Sequence, residues 1–295
     1  MSNTSVKKSV ASDTAALPDY NVAAAIKPTN WVNVGAWVVL VLIALSIAIN
    51  VVTNERWKWN IVFTYLFDPL VLQGLGRTIL LTIVAGVVGL VGGLVIGLMN
   101  MSQSNSLRVL ALSYIGFIRA IPALVLILVL YFISALFPTI DFGIPFLPPI
   151  VQIPTNSILS QFGAAMLGLA MIVAGHTAEI IRGGIMSVSK GQTEAARALS
   201  IPRSQAFARI VLPQAVRVTI PPFATELITL FKNTSLVSVI GYAELLTVVQ
   251  NIYGRTYETL PLLTVACIWY LLLTILAMIG QSRLEKRFGR GFQSR

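Results

Sequence analysis

The chain has 295 residues, 56% of them hydrophobic and only 11% charged, with a formal net charge of +10. That composition excludes an ordinary soluble domain and places the chain among proteins built for lipid. It also argues against a nucleic-acid-binding face, because the Lys and Arg residues sit in short segments between apolar runs, as membrane topology requires.

Cys267 is the only cysteine and His176 the only histidine, which excludes an intrachain disulfide and a cysteine-based zinc site. No Walker-type phosphate loop occurs, so ATP is not expected to bind this chain in that way. No metal or cofactor site is expected, and no catalytic residue.

Taken in chain order, residues 1–32 are polar, carry Lys7, Lys8 and Lys27, and lack the charged start, apolar core and cleavage site of a signal peptide. They read as a disordered cytoplasmic tail. Val34 to Val52 is uncharged and predicts a spanning helix over 33–53, with Trp31 and Trp37 at one border and Trp57 and Trp59 beyond the other as interfacial anchors. Thr78 to Met101 predicts a second span, with Gly89, Gly93 and Gly97 in register on one face where a neighbouring backbone can approach closely. Val109 to about Phe137 reads as a third span with Arg119 and Pro122 inside it, and Pro138 to Asn156, which holds Asp141, as an external loop. Ile158 to Ile181 is the fourth span.

A polar interval follows, from Lys190 to Pro222. Ser189 and Gln192 suit a capping box at the start of a short helix, and Val188, Gln192, Ala195, Ala196 and Leu199 would share one small-residue face. Pro202 disfavours helix at Ile201, and a second short helix is expected from about Arg203 to Leu212, ending near Pro213. Periodicity leaves two readings open, an intracellular knob of paired helices or a solvated basic loop. The fifth span runs from about Val216 to Phe231, is interrupted by Pro221 and Pro222, and contains Glu226. Leu236 to Ile240 suits a re-entrant or interfacial piece, tolerable at membrane depth only if covered. Leu260 to Ile279 is the last span, followed by a basic cytoplasmic tail over 283–295. Six spans put both termini on one side. With the tails, Arg108 and the Arg-rich interval inside, about fifteen Lys and Arg face the cytoplasm and roughly four face outward.

Glu194-Ala195-Ala196, then Ser200, then Ile210, Leu212 and Pro213, have the spacing of the EAA loop of binding-protein-dependent ABC transporter permeases. AEIIRGG (178–184), KGQTEAARAL (190–199), IVLPQAVR (210–217) and KNTSLVSVIGYAELL (232–246) resemble the polar amino acid subfamily, over roughly residues 73–288. The family usually has Gly where Ser200 stands. The resemblance implies an all-α polytopic membrane protein with a five-helix type I permease domain over 73–282, coupling helices at about 188–213, and the 33–53 helix as an N-terminal addition. It implies a non-catalytic subunit of an importer in the bacterial cytoplasmic (inner) membrane. Its implied partners are ABC ATPase subunits that bind the ATP, a second permease subunit (the same or different), an extracytoplasmic amino-acid-binding protein, and a polar amino acid as substrate. Gly191, Glu194, Ala195, Ala196, Ser200, Ile210, Leu212 and Pro213 would then meet the ATPase, with Glu194, Ala195 and Ala196 filling a cleft on it.

Charged groups within a membrane are costly and usually face a partner or a water-filled path. At a helical rise of 1.5 Å, Arg119 lies about 16 Å beyond Arg108, Glu179 about 12 Å and His176 about 16 Å before Ser187, and Glu226 about 20 Å beyond Pro213. These four fall in a band around the middle of a hydrocarbon core about 30 Å thick. Arg77, near the outer end of its helix, can snorkel instead. Arg119 suits a substrate carboxylate, and Glu179 or Glu226 an ammonium. The competing reading is structural: Glu179 pairs with Arg182 three residues on, Arg119 shapes the RxxP segment 119–122, and His176 is a hydrogen-bonded packing residue. An ABC permease for another small solute fits the same loop. A gradient-driven secondary transporter would use the carboxylates as ion sites and show an internal repeat, which the sequence does not display convincingly. A channel or membrane scaffold would need no ATPase.

Overall fold

A computed structural model describes residues 31–142 and 149–288, and within that range the chain is almost entirely helical. Most of residues 1–32, the end of the basic C-terminal segment (289–295) and the middle of the proline-rich loop (143–148) lie outside the described residues. Five of the described helices are long and apolar enough to cross a membrane, six if one bent pair is counted as a single span. The chain divides into two compact units, 1–57 and 58–295. In the first, a helix spans Trp31–Thr53 and a 3-10 turn follows at Glu55–Trp57.

The second unit is organised around the helix Gln161–Met186, whose face of Ala164, Ala165, Leu169, Ala170 and Val173 is buried. Ser160 begins it as a side-chain cap, accepting from Gly163 N–H at 3.2 Å. The helix Pro69–Asn100 lies against it. A Cβ added at Gly93 would sit 2.4 Å from Thr177 Cβ and 2.8 Å from Ala174 O, and at Gly89 2.6 Å from Val173 Cβ. The in-register glycines therefore make the close approach that the sequence predicts. This helix starts nine residues before the expected Thr78, because Asp68 caps it (Oδ1 to Leu70 N–H, 2.8 Å) and Pro69 takes the first position, where no N–H is needed.

The third span is not one helix. Asn105–Ala120 ends where Pro122 forces Ile121 into extended backbone (φ −97°, ψ 132°), and Ala123–Phe132 leaves at 103° to it. The loop beyond contains a two-stranded antiparallel ribbon, Thr139–Phe142 with Val151–Pro154, Asp141 opposite Gln152.

The fifth span runs through its prolines rather than breaking at them. Arg203–Ala206 passes without interruption through a π-turn, Phe207–Val211, into Leu212–Asn233, so no helix ends near Pro213. Pro213 lacks an N–H and crowds the carbonyl four residues back. The wider turn before it, in which Leu212 N–H reaches Phe207 O, relieves that crowding. Pro221 and Pro222 also lie within the helix. The apolar piece after it is a 3-10 segment, Thr234–Ile240, with Val237 and Ile240 buried in the central core beside Leu81, Ile127 and Leu230, so protein covers its backbone.

A second core joins Leu245–Thr256, Thr259–Phe288 and a short helix, Trp59–Leu66, that periodicity did not signal. Val62, Leu245, Val249 and Leu262 are fully buried there. Trp59 is half-buried and packs against this cluster. Trp269 Nε1 donates to Leu66 O at 2.8 Å, and Lys58 pairs with Glu258. The last helix extends to Phe288 and so includes Arg283, Lys286 and Arg287.

Candidate functional site: a charged cluster among three spans

Helix Gln161–Met186 carries His176, Glu179 and Arg182 three residues apart, which sets them one turn above another. Each meets a partner. Glu179 is held by Arg182 in a two-point pair, Nε to Oε2 at 2.9 Å and Nη2 to Oε1. Arg119, in the last turn before the Pro122 break, brings Nη1 to 4.0 Å from Glu179 Oε1. His176 Nδ1 lies 2.9 Å from Oε1 of Glu226, which comes from Leu212–Asn233. The four residues placed by depth thus gather from three helices into two pairs, Arg119 with Glu179 and His176 with Glu226, one turn apart on helix 161–186. Both readings of Glu179 apply: it pairs locally with Arg182 and also faces Arg119. The cluster is open, with side-chain exposure of 53% at Arg119 and 40% at His176, while Glu226 is the most enclosed at 13%. No titratable side chain lines the separate apolar groove of about 320 Å³ formed by Leu90, Leu94, Ile181, Ala215 and Phe223.

The polar interval forms a helix, Lys190–Ala198, with Ser189 at its N-cap. The expected capping box is absent: Ser189 makes no side-chain cap bond, and Gln192 N–H bonds its backbone carbonyl at 3.0 Å instead. The helix ends with Ser200 N–H on Arg197 O (2.9 Å) and Ile201 N–H on Ala196 O (3.0 Å), a Schellman closure. Ser200 stands at its left-handed position, φ 56°, which glycine takes freely and serine at a cost. Of the residues expected to share one face, Ala196 alone is buried. Ala196 is 2% exposed and turned into the chain, whereas Glu194, Ala195 and Leu199 face outward. Of the remaining residues in this motif, Gly191, Leu212 and Pro213 are exposed and Ile210 is half-buried in the π-turn.

Glu244, part of the 232–246 motif, has a role that the sequence reading did not assign. Its side chain is fully buried at the start of Leu245–Thr256. It accepts from Thr247 N–H (2.8 Å), Thr247 Oγ1 (3.1 Å) and Tyr270 OH (2.8 Å), and beside it Leu245 N–H donates to Thr78 Oγ1 at 3.0 Å. Burial pushes its carboxyl above the usual range, against the opposing pull of these bonds. The available signal was an acid three residues before Thr247 at the head of an apolar helix. Arg77, nearby on helix 69–100, donates to Ala243 O at 3.3 Å.

The family model for the binding-protein-dependent transport system inner membrane component matches residues 89–290. The chain belongs to that family. It is a permease, a membrane translocation component. It is 36% identical over 268 residues to the arginine transport system permease protein ArgU of Corynebacterium glutamicum, covering 87% of this chain and 81% of that one. It is 32% identical over 229 residues to the probable glutamine ABC transporter permease protein GlnM of Bacillus subtilis, covering 77% and 98%. A crystal structure of an amino acid ABC transporter with histidines matches 75% of this chain and 95% of its own at 34% identity, with a TM-score of 0.65. A chain of the MetNI methionine ABC transporter, seen in an inward-facing conformation, shares the fold at 20% identity and a TM-score of 0.55.

Proposed function

We propose that this permease forms the path of an ATP-driven importer of polar amino acids and moves in response to an ATPase docked on its 190–213 segment. The observation that carries the reading is the convergence of Arg119, His176, Glu179 and Glu226 from three spans into two base–acid pairs. A zwitterion offers one carboxylate and one ammonium, and the cluster offers groups that can meet each. Similarity to permeases named for arginine and glutamine transport supports this solute class. The decisive measurement is uptake of labelled arginine and glutamine into vesicles holding the complex with its ATPase and binding protein. Arg119→Ala, Glu179→Ala and Glu226→Ala should each lose uptake while the complex still assembles; normal uptake removes that residue from the path.

For coupling, Glu194, Ala195 and Leu199 form the outward surface and Ala196 anchors it to the permease. The unbroken helix from Arg203 to Asn233 then carries any displacement at the π-turn to Glu226. Glu194→Lys or Ala195→Trp should leave ATP hydrolysis running without uptake, and unchanged transport in both would remove the docking role. The Arg-rich 190–217 interval and both termini lie on the cytoplasmic side in this reading, with helix 31–53 as an addition to the shared fold. ATP is bound by the partner ATPase, a second permease copy or relative completes the path, and a soluble binding protein delivers the solute outside.

A further inference from the structure

We infer that His176 sets the selectivity of the path between cationic and uncharged amino acids by competing with the solute for Glu226. The inference rests on the transport reading above and goes beyond it in naming a residue that chooses between solutes. Glu226 is the most enclosed acid of the cluster, and its Oε1 is already engaged by His176 Nδ1 at 2.9 Å. The other acid, Glu179, is neutralised by Arg182 and faced by Arg119. Glu226 is therefore the one carboxylate of the cluster whose only partner among the described residues is a group that can lose its charge.

The surroundings isolate that pair. On its own helix His176 is neighboured by Glu179 and Arg182; from 105–120 come Arg119 and Tyr114, whose hydroxyl donates to Met171 O at 2.9 Å. Helix 212–233 presents Glu226, helix 123–132 carries Tyr131, and residues 78–100 contain no charged side chain. Tyrosines ionise near pH 10 and the arginines stay charged, so between about pH 5 and 8 imidazole is the group expected to switch. With His176 neutral, Nδ1–H still donates to Glu226, but the pair carries one negative charge that a cationic side chain can neutralise. With His176 protonated the pair is neutral, and a cationic solute must displace an imidazolium. An uncharged side chain meets no such competition. Protonation and cation binding are then coupled with opposite sign, typically by 5–150-fold.

The test is initial uptake of arginine and of glutamine by the vesicle-reconstituted complex, with external pH varied from about 8 to about 5.5 and the lumen buffered. The arginine-to-glutamine ratio in the native protein should fall on the order of tenfold on acidification. His176→Gln should make the ratio independent of pH, and His176→Lys should hold it low throughout. Comparing variants within one complex cancels any titration of the binding protein. A pH-independent ratio in the native protein overturns the inference, and so does an undiminished pH slope in His176→Gln. If the assembled complex takes up neither solute at any pH, the transport reading fails as well; uptake of both with a flat ratio removes this inference alone. Should one variant fail to assemble, the other carries the comparison, and His176→Asn replaces a missing His176→Gln.

Discussion

Two proline joints of this permease behave in opposite ways. At Pro122 the helix stops and the chain turns by 103°, whereas at Pro213 a helix continues from Arg203 to Asn233. The proline is the same; the neighbouring backbone differs. Before Pro122, Ile121 takes extended geometry and the break leaves Arg119 at a helix end facing Glu179. Before Pro213 a π-turn widens the helix and absorbs the ring. One joint turns Arg119 toward Glu179, and the other makes, in the proposed coupling, a lever between the outward helix 190–198 and Glu226.

The largest expected effect comes from removing the break. Pro122→Ala should allow helix through Ile121, swing Arg119 away from Glu179, and lower uptake about a hundredfold, as a misplacement of about 1 Å can do. Normal uptake would show that the bend does not position the path. Softening the lever is the converse experiment. Ala208→Gly with Arg209→Gly changes two exposed side chains, costs about 2 kcal/mol of local helix stability, and should lower the uptake-to-hydrolysis ratio about tenfold while hydrolysis persists. An unchanged ratio would mean that stiffness at the π-turn is not what transmits motion.

Two further joints sharpen the contrast. Glu244 begins helix 245–256 from within the core, and its carboxyl is raised by burial. A raised folded-state value means that its stabilisation is complete below the ordinary glutamate range of about 4.3 and is lost as pH rises through the folded value. Glu244→Gln should therefore flatten the fall in thermal stability over that window, read as melting temperature of detergent-solubilised protein against pH. A variant whose melting temperature follows the native curve would sink the assignment. The smallest effect belongs to Ser200, held at φ 56°. Ser200→Gly should stabilise the 190–201 turn by about 1 kcal/mol, seen as slower amide exchange there with uptake intact.

Much of this was legible in the residues. Long uncharged runs mark the spans, the register of Gly89 and Gly93 marks the tight helix pair, and depth along each helix put Arg119, His176, Glu179 and Glu226 in one band. Helical rise alone supports that placement, because a charged side chain in lipid has few places to go. The short helix Trp59–Leu66 was hidden because its partner surface, around Val249 and Leu262, is some two hundred residues away in the chain. Ala196 is buried while Leu199, expected on the same face, is exposed, because a nine-residue helix is oriented by what it docks against, and periodicity describes only its own axis.

The sequence by itself determined that this is a permease built from long apolar helices, and roughly where those helices lie. Only the tertiary structure decided who pairs with whom: that His176 meets Glu226, that Glu179 is shared between Arg182 and Arg119, and that Glu244 is sealed inside a hydrogen-bonded knot. The physical reason is reach. Composition and periodicity act along one helix at a time, whereas a hydrogen bond is decided within about 3 Å, and that distance depends on how three separate helices cross.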